Sequence, residues 1–340
     1  MPPADDDVSI TEKRVYAAKA GRTDAYVATG VGVVRAAISG DRVGTFELVR
    51  REPANDVAVL DPTASTRATD REAPALLLGV AGDNGVHVAT AAGGESEPGF
   101  TEIATRTCGR SESNGPTSDN PSMSPAVAIG AHDDSFLVAL ADGELLRIRA
   151  ASGGGSDGAA PAPGATTVER IGRVDDPVAV DGPLVASGDG VIRAVGPSGN
   201  CRLESVGLDR VRDVSGRGIP IAATADGLYR LGNGWMIALD GSFDAVAADG
   251  DGHAAAIDAE GTPFVRSAPP DGGGEWGPEV WTESPLPIDD RSAALAVDSR
   301  RAVVVTEGGT LCVDAGNGWR RRALGTPSVR SATLAAVGDR

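Results

Sequence analysis

Lysine is almost missing from this chain: Lys13 and Lys19 are the only two among 340 residues, so nearly all of the positive charge is arginine. Lysine and arginine together number 31 against 48 aspartates and glutamates, a net charge of −17, which argues against nucleic-acid binding through a basic face. Cysteine is scarce and scattered. Cys108, Cys201 and Cys312 form no Cys-x-x-Cys pair, so neither a disulfide framework nor a zinc knuckle is expected. No two of the three histidines lie two or four residues apart, so no preformed metal pair is visible. No apolar run approaches the ~18 residues of a membrane helix. The first residues, Met1-Pro2-Pro3-Ala4-Asp5-Asp6-Asp7, lack the basic and apolar regions of a signal peptide. The expectation is a cytoplasmic, reduced protein with no membrane partner.

What is present is glycine, alanine, valine and acid. Aromatic residues make up only 4 % of the chain, whereas 46 residues are glycine. Uniform acidity, small side chains and little lysine read as adaptation to a cytoplasm holding molar salt. There the Debye length falls to ~3 Å and self-repulsion is screened. At low salt the same charge destabilises the compact state.

The glycines are not scattered at random. Seven times a short apolar run meets a turn at Gly32, Gly85, Gly143, Gly190, Gly227, Gly261 or Gly309, and a second apolar run follows. A repeat on this scale marks a solenoid or a propeller, and hairpin turns throughout favour the propeller. Seven units in 340 residues average about 49 residues each, near the ~40–50 of a blade. The longer units carry loop-like insertions at residues 107–125, 151–167 and 267–275, rich in Ser, Gly and Pro. Each unit orders its strands alike. A continuous apolar run such as Val57 to Leu60 comes first, as suits an inner strand buried on both faces. After the second strand and the glycine turn, the third strand often ends in arginine, at Arg35, Arg147, Arg193, Arg230 and Arg266. A more polar outer strand, such as Phe46 to Val49, discourages edge-to-edge association. The C-terminal run Val329 to Val337 is left over and reads as the strand that closes the ring against the N-terminal unit around Val15-Tyr16. The fold expected is all-β, a single seven-bladed β-propeller over residues 13–340 behind a disordered acidic leader at 1–12. Six and eight blades are the alternatives.

A second motif recurs between third and fourth strands. Cys312-Val313-Asp314-Ala315-Gly316-Asn317-Gly318-Trp319 resembles the Asp-box hairpin of sialidase-like propellers, departing at Cys312 and Gly318. Asp271 to Trp276 keeps the Asp, Gly and Trp spacing, and Gly232-Asn233-Gly234-Trp235 and Asp41 to Phe46 are more degenerate copies. In such a box the carboxylate accepts hydrogen bonds from its own turn's amides, glycine permits the turn, and the ring caps the inter-blade core. The resemblance implies a structural device and carries over no active-site residue. Sialidase chemistry needs an arginine cluster and a tyrosine nucleophile, and Tyr16, Tyr26 and Tyr229 all fall in expected strands. The whole chain also resembles the uncharacterised β-propellers of haloarchaea, which imply no activity.

Several motifs fit chemistry in letters but not in context. Gly154-Gly155-Ser156-Asp157-Gly158 matches a nucleophile elbow, yet lies in linker rather than between strand and helix. Asp249-Gly250-Asp251-Gly252-His253, with Glu260 beyond, echoes a calcium loop but has Ala254 where the sharp turn needs glycine. His87 reads as a half-buried or surface strand residue, and His132 and His253 fall in corresponding turns. The recurrent third-strand arginines read as partners of nearby carboxylates. The sharpest candidate is a set of carboxylates leading into the inner strands. Asp56, Asp176, Asp209, Asp240 and Asp290, with Asp175 and Asp289 beside two of them, are expected to crowd one mouth of the central channel. Crowded carboxylates raise one another's pKa unless a cation sits among them, and Ca2+ or Mg2+ takes such oxygen ligands.

The reading that follows is a monomeric, non-enzymatic interaction or scaffolding propeller that binds an unidentified protein partner across its loop face. The insertion at 107–125 is expected at that surface. The alternative is a metal-dependent hydrolase or lactonase-like enzyme with a cation at the channel mouth.

Overall fold

The computed structural model describes residues 21–61, 76–91, 99–103, 124–150, 166–197, 199–266 and 276–337. Among them the strands form seven four-stranded antiparallel sheets, each paired in the order inner, second, third, outer. Blade 2 comprises Asp56–Leu60, Leu77–Gly82, Gly85–Thr90 and Thr101–Ile103; blade 3 comprises Ala126–His132, Ser135–Leu140, Glu144–Ala150 and Thr166–Arg173. Blade 4 follows with Pro177–Asp181, Leu184–Ser187, Gly190–Val195 and Arg202–Gly207, and blade 5 with Val211–Ser215, Ile221–Thr224, Gly227–Leu231 and Trp235–Asp240. Blade 6 is Phe243–Ala248, Ala254–Asp258, Pro263–Arg266 and Trp281–Glu283; blade 7 is Ser292–Asp298, Arg301–Thr306, Thr310–Asp314 and Arg320–Ala323. Blade 1 joins the two ends of the chain. Its second, third and outer strands are Arg22–Thr29, Gly32–Ser39 and Arg42–Arg50, and its inner strand is Val329–Val337.

The closing strand was expected from the sequence, but its partner is different. Val329–Val337 pairs with Arg22–Thr29, from Thr29 opposite Val329 to Arg22 opposite Val337. Val15 and Tyr16 lie outside the described residues, as do the leader at 1–12, the Gly154–Gly158 motif, Cys108 and most of the three insertions. The register follows the strand pattern: Tyr26, Val27 and Ala28 are buried on both faces, as an interior strand of a blade must be.

All seven turn glycines have positive φ, from 79° at Gly309 to 159° at Gly227. At Gly309 a Cβ would also lie 2.2 Å from the Thr326 carbonyl oxygen, where the connection to the next blade passes. Such a residue is needed twice over, for its backbone region and for its missing side chain.

The apolar core is a ring of seven clusters, one in each seam between neighbouring blades. Small residues let the inner strands approach closely. Gly130 has no room for a methyl group, because the Val180 carbonyl oxygen of the next blade would lie 2.7 Å from it.

Candidate functional site

The inner strands enclose a central channel with a cavity of about 300 Å³, walled by residues of all seven blades. Its shape comes from a repeated irregularity. A register shift at the start of the inner strand occurs in blades 1, 3, 4, 5, 6 and 7, leaving Arg330, Val127, Val178, Arg212, Asp244 and Ala293 as the extra residues. A bulge of this kind re-aims the side chains after it. The extra residues sit at the channel mouth on the face of the glycine turns, and in every bulged blade but blade 3 the next residue of the strand enters the wall.

One of those next residues is Asp213, and in blade 2, which has no bulge, Asp56 opens the inner strand; both aspartates bridge seams. Asp56 accepts the Val57 amide through Oδ1 at 2.8 Å and the Ile129 amide of blade 3 through Oδ2 at 2.8 Å. Asp213 does the same with Val214 and with Val246 of blade 6, both at 2.8 Å. Ser331, at the equivalent place in blade 1, bonds to Asp56. Deeper in the wall, Asp181 accepts the Gly216 amide at 2.8 Å and the Ser215 hydroxyl at 3.2 Å, and the Ser215 oxygen accepts the Ala248 amide at 3.1 Å. Burial pushes the Asp56 carboxyl up to about 6 and the Asp213 carboxyl up to about 7, against the pull of two amide bonds each.

At the turn-face mouth the charges form two arcs. Arg212 bonds Asp244 at 2.6 Å and the Ser242 hydroxyl at 3.0 Å, while Arg291 reaches Asp244 at 3.0 Å and Glu307 at 3.2 Å, linking blades 5, 6 and 7. Across the mouth Arg330 donates to the Asn55 side chain, which donates in turn to the Ala126 carbonyl at 3.0 Å and to Asp83 at 3.2 Å. Among the described residues, Val178 at 48 % exposure and Val31 at 47 % are the large apolar groups most open to solvent on this face.

The five carboxylates singled out in the sequence do not come together. Asp56 lines the channel, and Asp176, Asp209, Asp240 and Asp290 lie outside its lining. Asp176 sits at φ 46° in the connection before blade 4; Asp209 is exposed in the connection before blade 5, and Asp240 is exposed at the end of that blade's outer strand. Asp290 accepts the Gly308 amide at 3.2 Å. Among the described residues no group of three or more His, Cys, Asp or Glu side chains is placed to hold a metal ion. The physical reason is the bulge, which moves the channel-facing position one residue into the strand. Asp213, missed in the sequence, carried a signal there: a carboxylate interrupting the run Val211-Arg212-Asp213-Val214.

Other motifs resolve into local structure. The third-strand arginines stay out of the channel lining: Arg147 donates to the Gly196 carbonyl at 3.4 Å, and Arg266 stacks 3.9 Å above the Trp276 ring. His87 is buried rather than superficial, with Nε2 3.1 Å from the Arg50 guanidinium, and burial lowers its pKa. Asp249 accepts the amides of Asp251 and His253 at 2.7 and 3.0 Å, a closed hairpin turn. Asp314 accepts those of Gly316 and Gly318 at 2.8 and 3.0 Å, and Trp319 donates to Ser284 of the adjoining connection.

A family model described as an HVO_0234-like β-propeller matches residues 9–335, and the chain belongs to that family. No curated protein matches it. Among solved structures, apo AztD from Citrobacter koseri superposes with a TM-score of 0.52 at 9 % identity, over 93 % of this chain and 98 % of that one. YCF48 bound to D1 peptide gives 0.49 at 13 % identity, over 84 % and 95 %, and human WBSCR16 gives 0.49 at 13 %, over 88 % and 89 %. These likenesses bear on the fold alone. No helix among the described residues is long and apolar enough to cross a membrane.

Proposed function

We propose that this member of the HVO_0234-like propellers is a non-catalytic interaction module of a salt-rich cytoplasm, holding a protein partner against its turn face. The observation that carries the reading is the use made of the channel carboxylates. Asp56, Asp181 and Asp213 each accept backbone amides across a seam, so their oxygens brace the ring. The turn face, by contrast, displays Val31, Val178 and two arcs of paired charge on a rigid frame. Most of the insertion at 107–125 falls between Ile103 and Ser124, and both of these residues lie by glycine turns: Ile103 opposite Val86, Ser124 bonded to Asp142 at 2.7 Å. Loops held on a rigid scaffold are where binding is concentrated. On this reading residues 13–340 form the module, residues 1–12 are an acidic leader, and the module works as a monomer.

The test is cross-linking in native cytoplasm at molar KCl, comparing the wild type with a Val178→Asp, Arg291→Glu variant of unchanged circular dichroism. Loss of one defined cross-linked protein in the variant supports the reading. A melting temperature that drops in EDTA, with stoichiometric calcium or magnesium in the protein, would overturn it in favour of a metal-dependent hydrolase.

A further inference from the structure

The outer edge of blade 7 carries an unusual sequence for so acidic a chain. Arg320-Arg321-Arg322 is the longest run of basic residues in a protein of net charge −17, and it forms an exposed outer strand. That strand pairs with Thr310–Asp314 on one side, from Thr310 opposite Ala323 to Val313 opposite Arg320. Its other edge has no strand partner among the described residues.

The three arginines divide by strand alternation. Arg321 turns toward the connection from blade 6 and donates to the Pro287 carbonyl at 3.4 Å. Arg320 and Arg322 turn toward blade 1, across the seam where the ring closes. Arg320 lies 3.3 Å from Asp41, and the Arg322 guanidinium lies 5.7 Å from the centre of the Phe46 ring, itself 37 % exposed. On the blade 1 side the Asp41 carboxylate pairs with Arg320, and the Arg322 guanidinium lies over the Phe46 ring. The rim here is locally basic, beside an exposed aromatic ring and an open strand edge.

We infer that this edge is a recognition site for an extended acidic protein segment, which adds to blade 7 as a fifth strand. Strand addition supplies main-chain hydrogen bonds and leaves side chains to give specificity. Residues two apart in a strand are ~6.6–6.8 Å apart, so carboxylates at alternate positions of the incoming strand match Arg320 and Arg322. Guanidinium pairs carboxylate bidentately, and contact pairing of that kind persists where salt screens longer-range attraction. Three arginines on the edge also repel a second copy of the same edge, so the site selects against self-pairing. A long polyanion such as a nucleic acid meets the −17 charge of the remaining surface, whereas a short acidic strand fits within the basic stripe.

The inference is independent of the turn-face reading, because the two surfaces share no residue. The test uses the full chain in molar KCl and the fluorescein-labelled peptide Thr-Val-Glu-Val-Glu-Val-Thr, read by fluorescence anisotropy. The expected result is saturable binding, weakened at least about tenfold by glutamine in place of both glutamates, as loss of two charge-assisted contacts requires. Arg320→Gln with Arg322→Gln should weaken it as much, with an unchanged melting curve, and Val178→Asp should leave it alone. Equal binding of the glutamate and glutamine peptides, binding that survives the arginine substitutions, no binding at all, or tighter binding of a single-stranded oligonucleotide would each overturn it.

Discussion

Blade 7 has two seams, and they are built differently. The closing seam with blade 1 buries twelve apolar residues, including Ile38, Val303, Val305 and Leu311. The seam with blade 6 buries four, Ala255, Ile257, Leu295 and Val304, with Trp319 and Leu286 partly buried against them. Polar contacts accompany the thinner seam: Arg291 links Asp244 to Glu307 at its turn-face end, and Trp319 bonds Ser284 at the other. The difference has a topological reason. The chain crosses both seams, but at the closing seam it ties blade 7 only to the inner strand Val329–Val337; the other three strands of blade 1, within Arg22–Arg50, lie some three hundred residues away and are joined to that strand by pairing alone. Bringing such distant segments together costs loop-closure entropy, and the largest apolar cluster but one is found where that cost falls.

The sharpest way to break the comparison is to remove the closing strand. Deletion of residues 329–337 should cost most or all of a global stability of about 5–15 kcal/mol, because it strips Arg22–Thr29 of its partner and opens the largest tethering contact. Circular dichroism and size-exclusion chromatography in molar KCl would then report an expanded or aggregated chain. A compact monomer would mean that the ring does not depend on closure.

A smaller pair of substitutions sharpens the same point. Ile38→Ala, at a site with no solvent exposure in the closing seam, should cost in the upper part of the about 2–5 kcal/mol range for such deletions. Leu295→Ala should fall at about 2 kcal/mol, since Leu295 also lines the channel and solvent can enter the space it leaves. Denaturant unfolding measures both, and equal losses would show that the two seams bear the same load.

The smallest effect belongs to seams held by carboxylates, between blades 2 and 3 and between blades 5 and 6. Asp56 and Asp213 titrate at about 6 and about 7 in the folded protein, above the ordinary carboxylate range. The folded state therefore holds these protons more tightly than the unfolded one, so their contribution is present at low pH and is lost as pH rises through those values. The melting temperature should fall modestly between about pH 4 and pH 7, and Asp56→Asn with Asp213→Asn should flatten that slope. A slope of the opposite sign would mean that the amide bonds outweigh burial.

Much of the fold was legible in the sequence because it rests on local rules repeated seven times. A turn that needs positive φ requires glycine, and Gly32 through Gly309 all meet that need. The channel was less legible, because which residue faces it depends on a bulge that no residue type announces. Asp56 lines the channel because blade 2 starts its inner strand at that residue, while Asp176, Asp209 and Asp290 lie in the connections before their inner strands. Asp213 sits inside its strand, where its carboxylate interrupts an apolar pattern. The rim basic stripe was visible as letters, but its meaning depends on which outer strand ends a sheet and on what Phe46 and Asp41 place beside it.

Closure by the last strand also sets an order of events during synthesis. Blade 1's Arg22–Thr29 leaves the ribosome some three hundred residues before Val329–Val337, an interval of roughly 15–60 s at ~5–20 residues per second. Through that interval an apolar strand destined for the interior is paired on one side by Gly32–Ser39 and open along its other edge, in a crowded cell. The nascent chain thus carries a timed vulnerability that the finished ring conceals, and the late strand works as a latch that ends it.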